Sequence, residues 1–150
     1  MTATARAVGY SGTPLPKKLG LKPGQRVAFI DLPDSLGWLT TSAAFGSVRQ
    51  FGGWADFRGW TDPLDVLHGF TGLRADLEDG LPIARKAIAD TGMVWVSWPK
   101  RASKVPTDIT EDTIREIALP LGLVDVKVCA VDEIWSGLKL MIRKELRARR

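Results

Sequence analysis

His68 is the chain's one imidazole and Cys129 its one thiol, so any nucleophile activated by histidine, or any zinc cluster, would start from a single residue of each kind. His68 lies inside LDVLHGF among apolar neighbours and reads as a satisfied core histidine before a general base. Cys129 has no sequence neighbour to activate it, has no partner for an internal disulfide, and reads as a small packing residue. No Ser-His-Asp, Cys-His or paired-carboxylate arrangement follows from these spacings, and no metal site is expected. What remains is a set of polar residues that follow apolar runs. They are Asp31 and Asp34, Thr71, the group Lys100, Arg101, Lys104, Thr107 and Asp108, and the turn residues Asp132, Glu133, Trp135 and Ser136. Tyr10, Ser11 and Thr13, in a Gly- and Pro-rich lead-in, could fold over them. Lys100 with Lys104 could hold an anion by charge and hydrogen bonds, against the plainer reading of solvated loop lysines. Asp108 could meet a ligand or serve as a turn or capping residue, and Trp135 could stack on a ligand or pack over its own hairpin.

The apolar pattern indicates the elements that would bring these residues together. RVAFIDL, 26 to 32, is bounded by Pro23-Gly24 and Pro33 and predicts a strand buried on both faces. Residues 34 to 46 predict a helix capped by Ser35, with Leu36, Leu39, Ala43 and Ala44 at helical spacing and Gly46 as its stop. Ser47 to Trp60 predicts only a short irregular strand. LDVLHGF, 64 to 70, predicts a strand with Leu64, Val66, His68 and Phe70 on one face and Asp65, Leu67 and Gly69 on the other. Thr71 then caps a predicted helix marked by Leu73, Leu77, Ala84 and Ile88, broken or restarted at Gly80 and Pro82 and ended by Gly92. MVWVSWP, 93 to 99, is a strand; Thr110 caps a helix with Ile114, Ile117, Ala118 and Leu121 on its apolar face. Two alternating runs after residue 123 predict an antiparallel hairpin with its tip near 132 to 137.

This order predicts an α/β fold of Rossmann-like type, with a mostly parallel sheet, a C-terminal antiparallel hairpin and helices on both faces. It resembles the second half of a class I methyltransferase. In such sheets ligands sit beyond the carboxyl ends of the strands, which is where the polar residues above converge. At 150 residues one domain over 1–150 is expected, with 1–9 disordered and a basic tail at 145–150. Of 21 basic and 17 acidic residues, five and one fall in 143 to 150, which leaves sixteen of each elsewhere. The domain is therefore no polycation, and the charge argues against nucleic acid except through the tail. The first 25 residues hold no continuous apolar run, and no stretch nears the roughly 20 apolar residues that span a bilayer, so a soluble cytoplasmic protein is expected.

A nucleotide or S-adenosylmethionine would need a glycine-rich turn after the first strand and an acid ending the second. The turn here reads DLPDSLG, in which Pro33 has no N–H to donate and no glycine precedes Gly37; Asp56 is the one candidate ribose partner. These departures argue against the usual mode of cofactor binding. Trp38, Trp54 and Trp60 crowd one stretch, and an exposed subset would mark a partner or homodimer face.

The segments GYSGTPLPKKLGLKPGQRV, 9 to 27, and MVWVSWPKRASKVPTDITEDTIREIALPLGLVDVKVCAVDEIWSGLKLMIRK, 93 to 144, resemble a bacterial family catalogued as domain of unknown function 3052. Residues 33 to 62 match less well. The resemblance implies that Tyr10, Ser11, Thr13, Lys100, Thr107, Asp108, Asp132, Trp135 and Ser136 belong to the family's motif set, and it brings no cofactor with it. The leading expectation is a small-molecule or protein binding module on a degenerate methyltransferase-like fold. An S-adenosylmethionine-dependent enzyme with an altered first loop is the alternative, and a nucleic-acid accessory protein acting through the tail is a third.

Overall fold

The computed structural model describes residues 12–60 and 62–147, in which the apolar runs assemble into one six-stranded sheet. Its strands are β1 (Arg26–Ile30), β2 (Ser47–Phe51), β3 (Leu64–Phe70), β4 (Ile88–Pro99), β5 (Leu123–Ala130) and β6 (Trp135–Ile142), in the order β2-β1-β3-β4-β6-β5. β1 pairs in parallel with β2 and β3, and β3 with β4, whereas β6 is antiparallel to both β4 and β5. β5 therefore runs with the first four strands, and the hairpin tip returns to the edge where β1, β3 and β4 end. This is the expected Rossmann-like, mostly parallel sheet with one reversed strand. Strand order changes direction between β1 and β3, which makes that gap the topological switch point.

The helices α2 (Arg74–Ala87) and α3 (Glu111–Ala118) lie on one face, where Leu77, Leu81, Ala84, Ile114 and Ala118 pack on Ala28, Ile30, Leu67, Val94, Val96, Leu138 and Leu140. Eight residues of α3 would be marginal alone, and its docking, with each large aliphatic side chain gaining roughly 1.5–3 kcal/mol on burial, holds it. The opposite face, with Val27, Phe29, Val66, Phe70 and Trp95, is covered by the one-turn α1 (Leu15–Lys18), by Leu19 and Leu21, and by Leu36 and Leu39 of a 3-10 helix, Asp34–Thr41. Helices cover both faces, but the two longer ones, α2 and α3, share a side.

Several local expectations give way. Residues 34 to 46 form no α-helix: the 3-10 helix starts after Pro33 without a Ser35 cap. The hydroxyls of Thr40, Thr41 and Ser42 each donate to the carbonyl three residues back, which favours the tighter turn. α2 runs through Pro82 unbroken and begins after Leu73, not Thr71; Thr71 Oγ accepts the Leu73 N–H and donates to Asp76. The helix ends at Ala87 rather than at Gly92, and Ile88 already belongs to β4. Gly92 instead sits in a bulged stretch of β4, where a Cβ would stand 2.7 Å from the Leu64 carbonyl oxygen. At the same register shift Leu64 joins Leu67 on the helix side, not Val66. The hairpin tip is shorter than expected, with β6 starting at Trp135.

Of the crowded tryptophans, Trp38 is exposed, Trp60 half-buried and Trp54 buried. Trp54 fills the space between β3 and α2, where Gly69 and Gly80 each lack the Cβ that would strike its ring, at 2.2 Å and 2.7 Å. Its Nε1–H donates to the Phe70 carbonyl at 3.0 Å, at the last residue of β3. Gly69→Ala is expected to cost about 1–3 kcal/mol in urea unfolding, with most of the loss recovered when Trp54→Leu is added.

His68 is a core residue, as its setting suggested. It is 1% exposed, stacks on Phe70 with centroids 4.4 Å apart, and shares a hydrogen bond of 2.7 Å between Nε2 and Ser97 Oγ. Burial pushes its pKa down to about 3 from 6.5. The unfolded chain therefore binds one more proton between those values, so His68 stabilises the fold fully above pH 6.5 and its contribution is lost as pH falls toward 3, at about 1.4 kcal/mol per pH unit. The double variant His68→Leu/Ser97→Ala should show a flatter dependence of unfolding free energy on pH in that window than the parent chain.

Candidate functional site

The carboxyl edge is organised by polar side chains that bind backbone. Thr107 Oγ donates to the Gly72 carbonyl at 2.7 Å and accepts the Ile109 N–H, while Asp108 N–H also reaches Gly72. Asp108 Oδ1 accepts the N–H of Arg74, the first residue of α2, at 2.7 Å. It thus caps that helix from a distant loop, supplying what a side chain at the N-cap position, Leu73, cannot. Asp132 Oδ1 accepts the N–H groups of Ile134 and Trp135, both at 2.8 Å, and shapes the hairpin tip. The Lys100 N–H donates to the Ile134 carbonyl and fastens the β4–α3 loop to that tip. Trp135 is half-buried and packs on Phe70 edge to face, 5.2 Å between centroids. Ser136 is opposite both Trp98 and Ala130 within the ladder.

At the switch point, Asp31 follows β1 in a left-handed backbone conformation, φ 53°, and its N–H binds the Phe51 carbonyl. Burial and then the charges of Asp76 and Asp56 raise its pKa above the usual carboxylate value. Three carboxylates therefore share the place where a cofactor's anionic or ribose end would lie. Trp54 closes the helix side of the same gap.

Space opens two strands away. A cleft of about 630 Å³ lies between the end of β4, the following loop and the start of α3. Trp98, Pro99, Val105, Pro106 and Ile109 give it apolar walls, and Arg101 and Lys104 bring cations that form no ion pair among the described residues. Lys104 is held in a left-handed conformation, φ 61°, after the 3-10 turn Arg101–Ser103. The opposite wall holds Thr110, which caps α3 reciprocally with Thr113, and Arg115, which binds Glu111 at 2.9 Å, Asp112 at 3.0 Å and Asp125 at 3.0 Å. These partners raise the pKa of Arg115, and Arg115 lowers that of Asp125.

Of the residues singled out in the sequence, Lys104 and Thr107 line this cleft; Lys100 and Asp108 do not, although both belong to the loop that forms it. Asp31, Asp132, Trp135 and Ser136 share the carboxyl edge outside it. Thr13 is exposed in the lead-in, and Tyr10 and Ser11 lie outside the described residues. Trp98 and Arg115 gave no signal as wall residues, because their facing depends on how α3 docks.

A six-stranded sheet in this order, with its ligand edge at the strand carboxyl ends, defines a methyltransferase-like, Rossmann-type domain. The family model described as "Protein of unknown function (DUF3052)" matches residues 65–144, and the chain belongs to that family. The matched range leaves out the lead-in segment 9 to 27. No curated protein matches the chain. Among solved structures it is similar to an S-adenosylmethionine-dependent methyltransferase from Aquifex aeolicus, at a TM-score of 0.64 and 14% identity over 84% of this chain and 86% of that one. It is also similar to one from Thiobacillus denitrificans in complex with S-adenosyl-L-homocysteine, at 0.60 and 12% over 86% and 89%. A third is magnesium protoporphyrin IX methyltransferase from Synechocystis PCC 6803 with bound S-adenosylmethionine, at 0.59 and 11% over 80% and 71%. At these identities the likeness concerns the fold. No helix among the described residues is long and apolar enough to cross a membrane.

The capping role of Asp108 makes a test by substitution direct. Asp108→Ala should lower the unfolding free energy by about 1 kcal/mol, and Asp108→Asn, which keeps a capping oxygen, by much less, as read by denaturant titration.

Proposed function

We propose that the domain is a binding module for a small organic anion with an apolar body, held in the cleft under the β4–α3 loop. The observation that carries this reading is the pairing, in one cleft of about 630 Å³, of Arg101 and Lys104 with a wall of Trp98, Pro99, Val105, Pro106 and Ile109. Apolar walls with a few convergent polar groups are the usual make-up of a small-molecule site. Arg101 and Lys104 supply donors for a carboxylate or phosphate, and the apolar wall takes the ligand's body.

S-adenosylmethionine fits the switch point poorly. Pro33 offers no N–H, the Asp31 backbone is already bent back by its left-handed conformation, and Trp54 occupies the space beside Gly69. Asp56, the residue able to hold a ribose, shares its surroundings with Asp31 and Asp76 and adds to a negative field that an amino-acid carboxylate would meet. The reading is thus of a methyltransferase-like fold whose site has moved along the edge, away from the methyl donor's usual place.

Thermal-shift measurements separate the readings. Benzoate, ADP and inorganic phosphate form one panel, S-adenosylmethionine and S-adenosylhomocysteine the other. At least one member of the first panel should raise the midpoint, and Arg101→Ala/Lys104→Ala should abolish the rise. A rise given only by the second panel, and unaffected by that double variant, would overturn the proposal in favour of the cofactor site.

A further inference from the structure

Beside the row that packs on the sheet, the latter half of α2 carries a second apolar strip. Leu81 and Ala84 are fully buried, whereas Pro82 and Ile83 are only partly covered. One turn further on, Lys86 follows Pro82 and Ala87 follows Ile83, so these four residues line one side of the helix. Phe57 and Trp60, from the segment between β2 and β3, form the facing wall, and the two walls bound a cavity of about 460 Å³. Pro82 removes one hydrogen bond from the interior of α2, and its ring is part of that wall.

The wall opposite α2 is fixed by contacts of its own. Phe57 is buried and meets Phe51 with ring centroids 5.7 Å apart. Trp60 meets Phe51 edge to face at 6.0 Å, and its Nε1–H donates to the Asp62 carbonyl. The Arg49 guanidinium lies over the Trp60 ring, 4.9 Å from its centroid. Charge here has one sign: Arg58 and Lys86 line the cavity and no carboxylate does. Arg49, Arg58 and Lys86 form no ion pair among the described residues. Because α2 leads from the end of β3 to the start of β4, its latter half lies toward the edge where the strands begin. The cavity therefore lies away from the cleft under the β4–α3 loop and shares no lining residue with it.

We propose that this cavity binds a free, medium-chain aliphatic carboxylic acid, with its chain between Trp60 and Ile83 and its carboxylate at Arg58 and Lys86. A volume of about 460 Å³ lies low in the range of roughly 300–1,000 Å³ for small-molecule sites, which suits one short chain and not a two-chain lipid. No hydroxyl or amide side chain lines the walls, so a sugar or a nucleobase would find no side-chain partner there. Arg58 and Lys86 are exposed at the rim, where an ion pair contributes little. They select the sign of the head group, and the apolar walls supply most of the affinity. The inference does not rest on the anion cleft proposed above.

Isothermal titration calorimetry of the full chain with octanoate, hexanoate and octyltrimethylammonium tests the proposal. Octanoate should bind at least fivefold more tightly than hexanoate, since each buried methylene is worth about fourfold, and at least fivefold more tightly than the cation of the same chain length. Arg58→Gln/Lys86→Gln should weaken octanoate at least fivefold and leave the melting midpoint unchanged, both side chains being exposed. Ile83→Phe, which fills the cavity from the helix side, should abolish binding; if it also lowers the midpoint, the exposed double variant decides. Arg101→Ala/Lys104→Ala should leave octanoate binding as it was. Absence of octanoate binding, equal affinity for the octyl cation, or a loss confined to the Arg101→Ala/Lys104→Ala variant would each overturn the assignment. A dimer in sedimentation that Ile83→Phe dissociates would overturn it too, by giving the cavity to a second copy of the chain.

Discussion

The indole of Trp54 settles how the two halves of the sheet meet their cover. It comes from the segment after β2, crosses the switch point, and lies between a glycine of β3 and a glycine of α2 with its Nε1–H on the final carbonyl of β3. Any side chain at Gly69 or Gly80 would push α2 off the sheet, so those two absences set the spacing between helix and strand. α2 in turn carries the Leu77, Leu81 and Ala84 row against which the centre of the sheet packs. The switch-point crevice, open to ligands in sheets of this order, is closed on its helix side as a direct result.

Closure there changes what the remaining polar residues can do. Asp108, Thr107 and Asp132 look like ligand residues by position, yet each has its oxygen committed to backbone N–H groups or carbonyls of neighbouring turns. With the Lys100 N–H on the Ile134 carbonyl, these bonds join the β3–α2 turn, the β4–α3 loop and the hairpin tip into one rim. A rim fixed in this way keeps a cleft open beside it, because the loop cannot collapse onto Trp98 without breaking the Gly72 and Arg74 contacts. Thr107 both holds the loop and lines the cleft, and the other polar lining residues are drawn from Arg101, Lys104 and the start of α3.

The strands were legible because their runs are dense in apolar residues and bounded by proline or glycine. β1, β3 and the latter half of β4 fall where that pattern puts them, and so does the hairpin. Residues 33 to 62 were not legible, for two reasons. A 3-10 helix closed by three hydroxyl-to-carbonyl bonds shares its apolar spacing with an α-helix. Trp54 and Phe57 are buried by contacts with β3 and α2, distant in sequence, and so no local period marks them. The candidate cleft was legible only as far as the strand edge on which it lies, and not as a set of contacts. Lys104 and Thr107 are on the cleft, while Asp108 and Asp132 prove to be backbone partners, a distinction that depends on which N–H groups the fold leaves within reach.

Charge follows the same division between pattern and register. Counted along the chain, residues 1 to 142 are neutral; arranged in space, they are not evenly mixed. Asp31, Asp56 and Asp76 gather at the switch point, close enough to raise the pKa of Asp31, and Lys22, Lys127 and Lys139 gather on the sheet face away from α2 and α3. The second gathering hangs on one extra residue in β5, since pairing Val126 within the ladder, with strict alternation, would return Lys127 to the side of Arg115 and Asp125. Arg115 is already held by three carboxylates there, so a lysine arriving on that side would compete for Asp125 and loosen the tie between α3 and β5. The bulge therefore does two things at once: it keeps Asp125 for Arg115, which fastens the wall of the cleft, and it turns a lysine onto the face away from α2 and α3.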